Sequence, residues 1–419
     1  MFLRLLKRSG FSKSLITLLT GTTLAQGITL LISPILSRLF TPHDFGVFGT
    51  FLSIVSAIAL IASLRYEIAI VLPKKEDVAI NLLALAALLT LIISTLSFIG
   101  VLLFKYFYPG YEFLDQDLKF LLYFIPVLIL FIGFYQILNN YANRLKKYRS
   151  IVNYRVSNSL VSSSVYIAMG GMKFGSIGLL VGAILGNGIS VVIFFKEMYK
   201  DIKEQAGFIS KGKMKEIAIS YKEFPLVNSF QSISDMLQIN GIIYFIIYFF
   251  NSFIVGSFSY ALRILQAPMN LLGSAMAQIF YQQASELKNN GENLKDIVKK
   301  TMIKSALTGL PIFLAIIFFG PQLFAFVFGE TWREAGVYAR ILSPMLFFDF
   351  IRSPVSQVPL IIGRQKRLFS ISLIGNFILI ISMLYGGIIV HDIFKGLLMF
   401  TVLQSLYTII LLRWFYKIA

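Results

Sequence analysis

The chain is predicted to be an all-α polytopic membrane protein, and three observations carry that prediction. Hydrophobic residues fill 57% of its 419 positions and charged residues only 14%, where a soluble domain usually carries about 25% charge. Apolar runs of the roughly 20 residues needed to cross a bilayer recur about twelve times. The basic residues between those runs collect on alternate sides, as they do in membrane proteins.

The runs lie near 14–37, 44–72, 77–104, 117–141, 151–170, 175–196, 222–250, 253–282, 300–328, 334–362, 368–390 and 394–416. Several exceed the minimum, which implies tilt or extension past the membrane. With a cytoplasmic N-terminus, the cytoplasmic segments hold Arg4, Lys7, Arg8 and Lys13, then Lys74 and Lys75, then Arg144, Lys146, Lys147 and Arg149. Further along they hold the lysines from Lys196 to Lys222 and from Lys288 to Lys304, then Arg364, Lys366 and Arg367, and last Arg413 and Lys417. The outer segments hold only Arg38, Lys105, Lys119, Lys173, Arg333 and Lys395. That asymmetry predicts an even number of spans with both termini cytoplasmic. It also accounts for the net charge of +18 without a nucleic-acid partner. The basic start leads into an apolar stretch too long for a signal-peptide core, so it reads as the first span.

No loop is long enough for a separate domain. The longest, about 197–221, is Lys-rich and weakly amphipathic and sits at the middle of the chain. Short matches recur half a chain apart. Asn143-Arg144-Leu145-Lys146-Lys147 follows the fourth run and Gly363-Arg364-Gln365-Lys366-Arg367 the tenth. Pro126 and Pro344 sit at similar depths in those two runs, and Phe45-Gly46-Val47-Phe48 parallels Val255-Gly256-Ser257-Phe258. The expectation is two six-helix lobes, 1–205 and 206–419, repeated in the same orientation.

Catalytic motifs are missing: there is no GxSxG, Walker loop, HExxH or placed DxD. The chain therefore reads as a non-enzyme, with no catalytic residues and no ATP hydrolysis of its own. There is no Cys, and the two His, His43 and His391, are far apart, so neither a metal site nor another cofactor is expected.

Ionisable residues at bilayer depth are costly and mark function by default. They are Arg65, Glu67, Arg155, Asp235, Arg263, Arg340, Asp349 and Arg352. Arg155 enters the fifth run near its cytoplasmic end and can snorkel to the headgroups. Arg65 and Glu67 are two apart, so on a helix they would point to different faces and not pair. Asp349 and Arg352 are three apart and share a face, either as a self-neutralising pair or as a cavity wall. Arg263 lies about 13 Å into the eighth run at 1.5 Å per residue, too deep to snorkel comfortably. Asp235 is similarly deep in the preceding run. Either the two form a buried ion pair, or Arg263 meets an anionic substrate and Asp235 takes a proton or cation. A guanidinium offers planar paired donors that match pyrophosphate oxygens. Prolines fall within the spans at Pro34, Pro126, Pro225, Pro268, Pro311, Pro344 and Pro354, where they bend helices. Polar residues such as Asn139, Asn140, Asn158, Asn187 and Gln278 are candidates for sugar contact or for helix–helix bonding.

Several stretches carry a family likeness. They are Thr20-Gly21-Thr22-Thr23-Leu24-Ala25-Gln26, Ser33-Pro34-Ile35-Leu36-Ser37-Arg38-Leu39-Phe40-Thr41-Pro42 and Asp44-Phe45-Gly46, followed by Arg65-Tyr66-Glu67-Ile68-Ala69-Ile70-Val71-Leu72-Pro73. Later come Tyr221-Lys222-Glu223-Phe224-Pro225, Leu262-Arg263-Ile264-Leu265-Gln266-Ala267-Pro268, Phe328-Gly329-Glu330-Thr331-Trp332-Arg333-Glu334-Ala335-Gly336 and Ser353-Pro354-Val355-Ser356. In order and spacing they resemble the polysaccharide and O-antigen flippases of the multidrug/oligosaccharidyl-lipid/polysaccharide (MOP) exporter superfamily. The resemblance covers nearly the whole chain. It implies alternating access in a bacterial inner membrane. It also implies a substrate of undecaprenyl pyrophosphate bearing a short oligosaccharide, loaded at the cytoplasmic face. Membrane lipids and polysaccharide polymerase machinery are the further partners it implies. On this reading Arg263, Arg65, Arg352, Arg38 and Arg340 bind substrate. Asp235, Glu67 and Asp349 are the candidates for coupling to a proton or sodium ion.

Three rival readings stand beside it. A flippase for another lipid-linked precursor, such as the peptidoglycan intermediate, predicts the same fold. A multidrug/cation antiporter of the same superfamily would favour acidic or aromatic cavity walls over arginines. A membrane glycosyltransferase or sugar polymerase would require a large outer loop, and the outer loops here are short.

Overall fold

The computed structural model describes residues 10–107, 115–362 and 364–419, and among these no strand occurs. In chain order the helices are α1 (Gly10–Leu39), α2 (Pro42–Ala59), α3 (Tyr66–Ala69) and α4 (Glu76–Phe107). Next come α5 (Gln116–Arg144), α6 (Tyr148–Gly171), α7 (Gly175–Gln205) and α8 (Lys211–Ser220). The chain continues with α9 (Ser229–Phe249), α10 (Ser252–Pro268), α11 (Ser274–Asn289) and α12 (Lys295–Phe328). It ends with α13 (Arg333–Val355), α14 (Val358–Ile361), α15 (Gln365–Leu384) and α16 (Ile393–Ile418). Each predicted apolar run is helical over most of its length, and the chain is an all-α, multi-pass membrane protein.

Several predicted spans are interrupted. The run 44–72 is helical only to Ala59, and the chain then turns before α3. Leu64 and Arg65 both take positive φ, 49° and 64°, which an α-helix of L-residues does not accommodate. The run 253–282 divides at a π-turn, Met269–Gly273, directly after Pro268. A second π-turn, Phe224–Asn228, contains Pro225 and precedes α9. A third, Tyr385–Ile389, follows α15. Two of these three sit at prolines, whose missing N–H removes the ordinary i to i−4 bond. Such π-bulges gather at functional sites.

The chain divides into two compact units. The first is Met1–Phe40 with Val47–Gly241, and the second is Thr41–Gly46 with Ile242–Ala419. In the first, α6 packs against α7 and α1, and α4 against α5 and α8. One apolar core there joins Tyr66, Ile70, Leu82, Tyr141, Tyr154 and Phe194 to Ile217 of α8. In the second, α13 is central, packed on α12, α16 and α10.

The recurrent glycines of the sequence, Gly46 and Gly256, meet in this second unit. A Cβ on Gly46 would lie 1.6 Å from the Ser252 carbonyl oxygen, and one on Gly256 would lie 1.7 Å from that of Pro42. Two helix starts therefore cross backbone to backbone, which only glycine permits. Phe45 then stands edge-on to Tyr260 and Trp332 at 5.2 and 5.4 Å. Trp332 is fully buried, and the turn that delivers it starts at Gly329, whose φ of 104° demands glycine.

Candidate functional site

Seven helical segments are long and apolar enough to cross a membrane, counted among the described residues: Pro42–Ala59, Glu76–Phe107, Gln116–Arg144, Gly175–Phe208, Lys295–Phe328, Ser370–Ile389 and Ile393–Ile418. None of the candidate charges lies on them. Arg38 ends α1 and Arg155 is on α6. Asp235 is on α9, Arg263 on α10, and Arg340, Asp349 and Arg352 are on α13. Charged helices are tolerated at bilayer depth where they face protein or water rather than lipid.

In the first unit the Arg65–Glu67 turn corrects the expectation drawn from spacing. The two residues do pair, Arg65 Nη1 to Glu67 Oε1 at 3.3 Å. The expectation assumed a helix there. The left-handed backbone at Leu64 and Arg65 instead folds the guanidinium back onto the carboxylate. Glu67 is 1% exposed, and Ser63 donates its hydroxyl to Oε2. The carboxylate is thus held from two sides, which an otherwise buried charge requires.

The turn is also fixed from outside. Tyr66 donates its hydroxyl to the Ala218 carbonyl at 2.8 Å. Arg144 reaches back from the end of α5 to the Pro73 carbonyl at 2.5 Å and to Glu76 Oε1 at 2.8 Å. In the sequence Arg144 carries only a topology signal. Its place in a basic turn hides its role as a bolt across the segment 70–76.

Arg155 does not simply extend to the headgroups: it donates to the Thr22 hydroxyl on α1. Along the same helices Ser159 donates to the Ala25 carbonyl at 2.9 Å, and Tyr154 to Asn187 Oδ1 at 3.0 Å. Tyr135 stacks on Tyr154 with ring centroids 4.0 Å apart. Of the polar candidates here, Asn140 and Asn187 each donate to a carbonyl in their own helix, Gln136 and Ala183. Asn139 Oδ1 and Asn158 Nδ2 are buried without a hydrogen bond. The Asp235 and Gln278 side chains lie outside the described residues.

In the second unit Arg263 stands on an open face of α10. It is exposed, as is Gln266, whereas Val255, Phe258, Ala261 and Leu265 on the other face are buried. Helical spacing puts Ser259, Arg263 and Gln266 on one polar stripe. Among the described residues Arg263 has no hydrogen-bond or ion-pair partner. Arg340 differs: it donates to the Phe318 carbonyl of α12 at 3.3 Å, next to the Pro321 bend. Asp349 and Arg352 pair at 2.9 Å as their spacing predicts, and both remain partly exposed. Arg38 is exposed in the last turn of α1, where a cation complements the helix dipole. At the turn before α13, hydrogen bonding from Arg333 holds the Glu330 carboxyl below its ordinary range.

No set of three or more metal-ligating side chains occurs among the described residues. The arrangement offers cations and neutral polar groups on helices other than the seven apolar segments.

Comparison with known proteins agrees with this architecture. A family model described as "Polysaccharide biosynthesis protein" matches residues 35–337. A search of curated proteins finds no match. Among solved structures, the inward-facing conformation of a multidrug resistance MATE family transporter of the MOP superfamily superposes with a TM-score of 0.71. It is 17% identical and covers 95% of this chain and 94% of its own. The outward-facing conformation of such a transporter gives 0.63 at 14% identity, covering 97% and 95%. A MOP superfamily transporter from Pyrococcus furiosus Vc1, described as having reverse polarity of its binding pocket, gives 0.61 at 15% identity, covering 98% and 96%. The fold is that of the MOP superfamily transporters of known structure, and the chain belongs to the polysaccharide biosynthesis protein family.

Proposed function

We propose that the chain flips undecaprenyl-pyrophosphate-linked oligosaccharide across a bacterial inner membrane by ion-coupled alternating access. The observation that carries the reading is Arg263, an exposed guanidinium with no partner among the described residues, on a polar stripe of α10. A cation held there without a partner needs an anion or water to offset its cost, and a pyrophosphate supplies paired oxygens for its planar donors. Family membership supports a polysaccharide precursor as cargo. The isoprenoid tail stays in lipid while the polar head follows the charged helices.

The chain holds no ATP-binding motif, so an ion gradient drives the cycle, and Asp235 and Asp349 are the acidic groups on the polar helices. The gradient biases the two states only through differential affinity. Both termini face the cytoplasm in this reading, as the lysine and arginine distribution requires. The arginines weigh against a drug antiporter of the same superfamily.

The test is flipping in sealed proteoliposomes, followed as the lipid-linked sugar becomes accessible to an impermeant reagent. Movement that depends on an imposed proton or sodium gradient is the expected result. Folded protein that moves none of several glycans would defeat the proposal. Asp235→Asn is expected to flatten the dependence on pH or sodium, and an unchanged dependence would remove Asp235 from coupling.

A further inference from the structure

The Lys-rich segment between α7 and α9 has no part in the transport reading, yet it is firmly built. One face of α8 is bolted to the first unit. Ile217 is buried, and Met214 and Tyr221 pack against the same apolar core. Tyr66 donates to the Ala218 carbonyl, and Lys213 pairs with Asp77 at 3.0 Å. Asn81, fully buried, donates to the Phe208 carbonyl at 2.8 Å and accepts from the Ser210 N–H at 3.0 Å. Ser210 then caps α8 by accepting from the Lys213 N–H.

The opposite face carries another chemistry. At 3.6 residues per turn, Lys211, Lys215 and Ile219 fall on one stripe, and Lys222 follows in the turn just after the helix. All four are exposed, Ile219 at 61%. Unlike Lys213, Lys211, Lys215 and Lys222 have no ion-pair partner among the described residues. Glu216 flanks the stripe and offsets one of the three charges. Phe208 and Ile209 are exposed just before the helix. The exposed apolar groups here are mostly aliphatic and lie along or just before the helix, beside the lysines. A membrane surface uses both: the apolar groups enter the acyl boundary and the ammonium groups meet phosphates.

We propose that α8 is an anchor for anionic phospholipid headgroups. Because Tyr66 lies between Arg65 and Glu67 and is bonded to α8, headgroup binding also steadies that turn.

The test is thermal unfolding of the purified chain in neutral detergent, titrated with phosphatidylglycerol or with phosphatidylcholine. Phosphatidylglycerol is expected to raise the Tm, phosphatidylcholine to leave it, and high salt to erase the difference. Lys211→Gln, Lys215→Gln and Lys222→Gln together are expected to weaken the phosphatidylglycerol response on the order of 100-fold in lipid concentration, at the strength usual for three lysines near an anionic surface. The same three positions changed to Arg keep the response. A control triple, Lys295→Gln, Lys299→Gln and Lys300→Gln, also keeps it. An undiminished response in the α8 glutamine triple, or equal loss in the control, overturns the proposal. Displacement of the lipid by an RNA oligomer also overturns it, by assigning the stripe to nucleic acid. No transport is measured, so failure here leaves the flippase reading untouched.

Discussion

The Arg65–Glu67 turn and the Arg263 stripe show two uses of a guanidinium in a membrane protein. Arg65 is spent on a neighbour: its partner Glu67 is buried, and the pair is fixed by Ser63, Tyr66 and the clamp of Arg144. Arg263 is left open, with a packed apolar face behind it and polar neighbours beside it. Sequence position alone does not separate them, since both are arginines in the interior of predicted spans. The difference lies in what already neutralises each charge. The proposal assigns substrate contact first to the arginine whose charge no described residue offsets.

That contrast can be broken by substitution. Arg65→Ala leaves Glu67 as an uncompensated buried carboxylate, and removal of one partner of such a pair costs about 3 kcal/mol or more. We expect a marked fall in thermal stability in detergent, with partial recovery on adding Glu67→Gln. If Arg65→Ala melts like the parent, the pair does not hold the turn.

Arg263→Ala should do the reverse. An exposed side chain with no partner costs stability by about 0.5 kcal/mol or less. Transport is expected to fall on the order of 10- to 100-fold, the worth of a lost charge-assisted contact. Arg263→Lys should recover only part of it, because an ammonium lacks the planar fork.

Arg340→Ala sharpens the comparison from the scaffold side. Its bond to the Phe318 carbonyl is worth about 1 kcal/mol, so a small loss of stability with unchanged transport is expected. A transport defect at full stability would move Arg340 from scaffold to substrate contact. Asn81→Ala is expected to cost about 1–2 kcal/mol and to loosen α8, read as faster proteolysis between Phe208 and Tyr221.

Much of the fold is legible in the sequence because bilayer physics is one-dimensional: length and apolarity place spans, and lysines place loops. The Gly46 and Gly256 match also carries real geometry, since those glycines touch. The break after Ala59 is not legible. Leu64 and Arg65 are not residues that announce a left-handed turn, and tertiary contacts impose it. Spacing on a regular helix therefore points Arg65 and Glu67 apart, while the turn brings them together. The i, i+3 pair of Asp349 and Arg352 is readable because a regular helix does run through it. Asn81 stands out only in the structure, although an amide near the start of an apolar helix is the signal that marks it.

The most direct measurement compares flipping rates of lipid-linked oligosaccharide in matched proteoliposomes of the parent, Arg263→Ala and Arg263→Lys chains, each shown to be folded and inserted. The account predicts rates in the order parent, Lys, Ala, with the Ala variant close to protein-free vesicles. Parent-like flipping by Arg263→Ala would contradict it and remove the open arginine from the transport path.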